Sequence, residues 1–111
     1  LAACSTPIER HLKRGHKSLT SGRLEKAELE YRQVIEKDPS SAQAHFGLGY
    51  VLFRQGDLDE AVEAYKHGIT IDPDDSNGHY YLGLIYNEKN MQKEAREEFK
   101  LYDKLKRTQL R

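Results

Sequence analysis

Three histidines, His11, His45 and His79, recur at a step of 34 residues, and they are the first residues in this chain that could do chemistry. That chemistry would be metal ligation, since neutral imidazole is a common ligand of transition metals. One ion cannot take all three. Zn–N bonds are ~2 Å long, whereas equivalent positions in stacked helical units are separated by about one helix-packing distance, ~10 Å. The three are therefore read as partly buried packing residues. His16 and His67 have no ligand partner at a useful spacing. Asp72, Asp74 and Asp75 resemble a calcium loop only loosely, lacking the full ligand spacing and a closing Glu. Gly47 and Gly49 follow no strand and form no phosphate loop, and no Ser/His/Asp or Cys/His set has a recognisable context. The expectation is a chain that is not an enzyme and uses no metal or cofactor.

The histidine step belongs to a wider pattern. Gly15, Gly49 and Gly83 keep it, as do Ala27, Ala61 and Ala95, then Tyr31, Tyr65 and Phe99, while Pro39 and Pro73 close two of the units. In the central unit one amphipathic segment runs from about Ala42 to Gln55 and a second from Leu58 to about Ile71. Gly56 can take the left-handed conformation that ends a helix, and Asp57 is expected to cap the next one through its side chain. Pro73 cannot continue a helix and marks the exit. Ser21-Gly22, Asp38-Pro39 and, more weakly, Lys89-Asn90 repeat this punctuation. Gly49 and Ala61 let the paired helices approach, with Leu48, Leu52, Val62 and Tyr65 filling the space around them. A large residue in place of either would overpack the contact by ~1 to 3 kcal/mol. One hairpin cannot bury its apolar stripe alone, but a stack of hairpins can.

Composition narrows the function classes. The chain has 111 residues, is 37% hydrophobic and contains only three prolines, which suits one folded, strongly helical domain. Its 18 basic and 18 acidic residues cancel, so there is no field to hold a nucleic-acid backbone. Basic runs near the two ends read as solvated helix faces. No apolar run approaches the ~18 to 20 residues needed to cross a bilayer. A single cysteine excludes an intrachain disulfide.

On these columns the chain resembles the tetratricopeptide repeat family, whose period is 34 residues. The central unit carries the resemblance with Leu48, Gly49, Gly56, Ala61, Tyr65 and Pro73, and has His45 where the family often has Trp. The third unit does so with Leu82, Gly83, Tyr86, Ala95 and Phe99, and the first, more loosely, with Gly15, Gly22, Ala27, Tyr31 and Pro39. The resemblance implies an all-α fold of three helix-turn-helix repeats, at 8–41, 42–75 and 76–107, in a right-handed superhelix. The last helix would be extended through 108–111, and 1–7 would be a tether. Tyr102 stands where Val34 and Gly68 face the next repeat, and no proline closes the third unit. Both suggest that no fourth repeat follows, which leaves Phe99, Leu101, Tyr102 and Leu105 on a face where a second copy could pair.

In this family the first helix of each repeat lines a concave groove. Carried over, the groove would comprise Leu12, His16, Gln43, Phe46, Tyr50, Phe53, Arg54, Asn77, Tyr80, Leu84 and Asn87, flanked by Glu9, Lys13, Leu19, Thr20, Gly47 and Glu88. The implied ligand is an extended or helical protein segment bearing apolar side chains, with aromatic and Arg groups supplying most of the binding energy. The Lys/Asn/Arg clamp by which chaperone-binding members hold a partner's terminal carboxylate is absent, its places being taken by Leu12, His16, Gly47, Asn77 and Tyr81.

The opening Leu1-Ala2-Ala3-Cys4-Ser5 resembles the lipobox of bacterial lipoproteins. Small residues would suit the signal peptidase, and the Cys4 thiol would be the nucleophile that forms a lipid thioether. Leu1–Ala3 would then be the end of a secretory signal, and membrane attachment would run through Cys4 alone. The resulting expectation is a non-catalytic interaction scaffold in the bacterial envelope, aiding assembly or tethering of complexes such as secretins or pili. The alternative is a cytoplasmic interaction module excised from a larger regulator or co-chaperone.

Overall fold

The computed structural model describes residues 6–110, and Cys4 lies outside them. Six helices follow one another: α1 (Pro7–Thr20), α2 (Leu24–Lys37), α3 (Ala42–Gln55), α4 (Leu58–Ile71), α5 (Ser76–Glu88) and α6 (Gln92–Gln109). They pack as three hairpins, α1–α2, α3–α4 and α5–α6, and each hairpin stacks on the next through α2–α3 and α4–α5. The odd-numbered helices also meet one another, α1 with α3 and α3 with α5, while the even-numbered ones do not. That asymmetry places the odd helices on the inner, concave side of the stack.

The helices start and stop for two different local reasons. Each odd helix has a polar N-cap whose side chain accepts an otherwise unpaired backbone N–H. The Thr6 hydroxyl accepts from Glu9 N at 3.1 Å while Glu9 returns the favour to Thr6 N, forming a capping box ahead of Pro7. Ser41 accepts from Ala44 N at 3.2 Å, and Asp75 accepts from Asn77 N at 2.9 Å.

The even helices follow a tight turn instead. Gly22, Gly56 and Asn90 adopt φ of 77°, 86° and 61°, and the next backbone N–H closes six-to-one onto the helix just finished. These bonds are Arg23 N to Ser18 O at 2.8 Å, Asp57 N to Leu52 O at 2.9 Å and Met91 N to Tyr86 O at 2.8 Å. This corrects the role expected of Asp57. Its side chain makes no cap bond, because its backbone (φ −84°, ψ 72°) is outside the extended conformation that Ser41 and Asp75 use to reach forward.

The core is built from the recurrent columns. Ala27, Tyr31, Val34, Ala44, Val51, Ala61 and Ile85 are inaccessible to solvent, and Tyr65, Leu82 and Ala95 nearly so. The small residues at the first-helix step work by seating a ring from the second helix. A Cβ on Gly49 would sit 2.6 Å from the Tyr65 ring, and one on Gly83 would sit 2.6 Å from the Phe99 ring. Histidines of the repeated column tie the first and third hairpins to their second helices, and the second and third to their entry loops. His11 Nδ1 meets Glu30 at 2.7 Å and His79 Nδ1 meets Glu98 at 2.8 Å, while His45 and His79 bond through Nε2 to the carbonyls of Pro39 (2.9 Å) and Pro73 (3.2 Å).

The last helix is the longest, at 18 residues, and its end is tied back where Gln109 donates to Asp74 O at 2.9 Å. Phe99, Tyr102 and Leu105 are half-buried, Tyr102 against Tyr80, whereas Leu101 is 41% exposed. Most of the apolar face expected to lack cover is therefore partly covered from within its own repeat.

Candidate functional site

A cavity of about 380 Å³ opens on the concave side between α1, α3 and α5. Its walls are aromatic, with Tyr31, Phe46, Tyr50, Tyr65 and Tyr81, and its rim is polar, with His16, Gln43, Asp75 and Asn77. Two repeats differ here at one step of the period. Gly47 stands where the next repeat has Tyr81, both border the cavity, and the place beside Gly47 is taken by the Tyr31 ring, which packs in close contact with Gly47 and Gly15. Across the cavity Tyr81 stacks on Tyr65 at 6.0 Å and meets Tyr50 edge-on at 5.4 Å.

Two of the phenols come from second helices. Tyr31 and Tyr65 pass their rings over glycines of the first helices, so a residue anchored in the core delivers its hydroxyl toward the groove. Burial pushes the Tyr31 hydroxyl up to about 12, and it shares a 2.6 Å hydrogen bond with His16 Nδ1. Burial raises Tyr65 further, helped by Tyr81, Tyr50, Asp75 and Tyr31, all of which line the same cavity. Both phenols are thus neutral hydrogen-bonding groups at any ordinary pH. The site can grip by ring contact and neutral hydrogen bonds, and it presents no lysine or arginine to a ligand.

Of the residues that the family resemblance implied, His16, Gln43, Phe46, Tyr50 and Asn77 line the cavity. Phe46 has a second job there, since its ring wedges against Gly68 and Gly78 and so packs the second repeat on the third. Arg54 lies outside, its guanidinium 5.8 Å from the centre of the Tyr50 ring. Leu12 and Phe53 are half-buried against the core, and neither borders the cavity. Leu84 and Asn87 do not border it either. Tyr80 is 37% exposed on the same side, but it leans on Tyr81, Phe99 and Tyr102 and extends the aromatic surface toward α6.

Sequence reasoning missed Tyr31, Tyr65 and Tyr81 on the walls and Asp75 at the rim. Tyr31 and Tyr65 were visible only as a core column. The pairing of an aromatic second-helix column with glycines in the first helix was the available signal that they reach through.

The geometry is matched by the known family. Tetratricopeptide repeat profiles cover residues 12–76 and, overlapping them, 64–97. The chain belongs to the tetratricopeptide repeat family. No curated protein matches it by sequence. Among solved structures, MamA superposes with a TM-score of 0.89 at 25% identity, covering 93% of this chain and 60% of its own. The chain therefore spans about three fifths of MamA. The Yersinia enterocolitica type III secretion translocator chaperone SycD, solved as an alternative dimer, gives a TM-score of 0.88 at 20% identity, covering 95% of this chain and 80% of its own. A chain of the CopN–Scc3 complex gives 0.81 at 22%, covering 86% and 56%. These likenesses agree with the observed architecture, a stack of tetratricopeptide repeat hairpins.

Proposed function

We propose that this chain is a non-catalytic tetratricopeptide repeat scaffold that takes a protruding apolar or aromatic side chain of a partner protein into the cavity between α1, α3 and α5. The observation that carries the reading is the aromatic cavity itself, with Tyr50 and Tyr81 on its walls and Gln43 and Asn77 at its rim. Rings supply contact area at low entropic cost, and rim amides can bond the partner's backbone on either side of the inserted residue. The likeness of the fold to SycD, a secretion translocator chaperone, and to one chain of the CopN–Scc3 complex supports a protein as the ligand.

The proposed setting is the bacterial envelope, with the module held at the membrane by a lipid on Cys4 and assisting assembly or tethering of an envelope complex such as a secretin or pilus. Leu1-Ala2-Ala3-Cys4 is the feature that supports it. No helix among the described residues is long and apolar enough to cross a membrane.

Affinity capture from an envelope extract tests the binding reading. The arms are the parent chain, a cavity variant (Tyr50→Ser with Asn77→Ala) and a convex-face variant (Leu29→Ala), each checked by circular dichroism. A partner lost only by the cavity variant is the expected result, and equal recovery by all three overturns it. For the anchor, growth of the native gene's host on an alkyne fatty acid should label the protein through Cys4. Equal labelling of Cys4→Ser would refute that part alone.

A further inference from the structure

The convex side holds a second opening, a groove of about 550 Å³ between α2 and α4 with His45 and His67 on its walls. It too lies where a column of the repeat breaks. In the first and third repeats the Nδ1 atom of the repeated histidine meets a glutamate nineteen residues on, Glu30 or Glu98. The corresponding residue of the central repeat is Ala64, which cannot reach, and His45 Nδ1 has no partner among the described residues.

His45 is only 8% exposed, and its Nε2 is held by the Pro39 carbonyl at 2.9 Å. A carbonyl can only accept, so Nε2 carries the hydrogen and the neutral ring leaves its lone pair on Nδ1. Metal-bound histidines are commonly fixed this way, donating the other ring N–H to a backbone carbonyl. The place where Nδ1 finds glutamate in the sister repeats is, here, open and adjacent to a second imidazole. The His45 and His67 rings have centres 5.4 Å apart and planes tilted by 48°. Two imidazoles on one tetrahedral ion, with Zn–N bonds of about 2 Å, place their ring centres roughly 5 Å apart.

The surroundings favour a cation. Glu36, Asp59, Glu60 and Glu63 border the same groove, against a single cation, Arg32. That cation is already engaged by Glu28 at 2.9 Å and Glu60 at 3.3 Å. Asp59 is taken by Lys89, while Glu36 and Glu63 form no ion pair among the described residues. Glu63 lies one helical turn before His67 on α4.

From this we infer that His45 Nδ1 and the His67 imidazole form a binding site for a borderline divalent cation of the zinc type, facing α2 on the convex surface. Among the described residues no three His, Cys, Asp or Glu side chains are already gathered about one point. The two imidazoles are therefore the ion's first ligands, and water or a swing of Glu63 supplies the rest. Such a site is weaker than a four-ligand structural zinc site and leaves positions open to a partner's ligand.

Two variants borrow the third repeat's own residues, so each places in the central repeat a side chain that the same fold already accommodates. Ala64→Glu supplies the carboxylate that occupies Nδ1 elsewhere, and His67→Leu copies Leu101. The experiment adds Zn²⁺ alone to the full chain carrying Cys4→Ser, so that the thiol cannot compete, and follows it by calorimetry and by histidine-region NMR. The parent should bind with shifts at His45 and His67 but not at His11 or His79. His67→Leu should bind roughly tenfold more weakly or worse, the scale on which even a metal's outer hydrogen-bond partners count, and Ala64→Glu should change the affinity by a similar factor, downward where its carboxylate occupies Nδ1 and upward where it joins the ion as a further ligand, with helicity unchanged in both. No uptake by the parent, shifts spread equally over all histidines, or uptake unchanged in the two variants would each overturn the assignment.

Discussion

The second and third repeats share a backbone plan and differ at a few steps of the period, and the differences coincide with the openings in the surface. The kept glycine, alanine and aromatic columns of the helices are buried, or half-buried at Phe99. Gly49 and Gly83 seat Tyr65 and Phe99, and Ala61 and Ala95 are inaccessible or nearly so. Where a column breaks, an opening lies beside it. Gly47 and Tyr81 both border the concave cavity, and Ala64 in place of Glu98 leaves His45, on the wall of the convex groove, without the glutamate its sister histidines have. Residues that recur therefore hold the array together, and residues that fail to recur are where it can meet something else.

The comparison is most severely tested by breaking a kept column. Tyr65→Ala removes a ring that is 2% exposed and sits over Gly49. It should cost roughly 3–5 kcal/mol, the range for large aromatic truncations. Urea unfolding monitored by circular dichroism should show the loss. A cost below about 1 kcal/mol would mean that the kept column does not hold the hairpin.

A smaller effect comes from pH. The Tyr31 hydroxyl has an ordinary value of 10.0 and is held at about 12 in the fold. Between those values the unfolded chain has released a proton that the folded chain keeps, so the unfolded state is favoured as pH rises. The contribution is fully present below pH 10, and stability should fall by about 1 to 2 kcal/mol as pH approaches 12. Lysines titrate in the same window, so the measurement is the difference between the parent and Tyr31→Phe, which should lose less stability over that range. Parallel curves for the two would contradict the buried, protonated phenol.

The smallest effect on folding belongs to a broken column. Tyr50→Leu copies Leu84 of the third repeat and should change stability by only about 1 kcal/mol, yet it removes a wall of the cavity. If it unfolds the chain, Tyr50 is a core residue and the division between kept and broken columns fails.

These cases also show how far the amino-acid order could be read. The six helices were legible because glycine, proline and the apolar period mark them independently, and the read limits Ala42–Gln55 and Leu58–Ile71 match α3 and α4. The cap role of Asp57 was misread because residue type alone does not reveal that its backbone closes back onto Leu52. Half of the cavity could be proposed from first-helix positions such as His16, Tyr50 and Asn77. The rest required knowing that a buried phenol can cross a helix at a glycine, as Tyr31 and Tyr65 do. The pairing of His45 with His67 was hidden because twenty-two residues and a turn separate them, and only the stacking of α4 against α3 brings their rings together.

The central claim, that the broken column on the concave side is where a partner sits, is tested most directly by an NMR titration of the full chain with the segment of the captured partner. The account predicts shifts concentrated at His16, Gln43, Gly47, Asn77 and Tyr81, weakened at least about tenfold by Tyr50→Leu, a loss of roughly 1.4 kcal/mol in binding. Shifts confined to α2, α4 and α6, with Tyr50→Leu binding as the parent does, would contradict it.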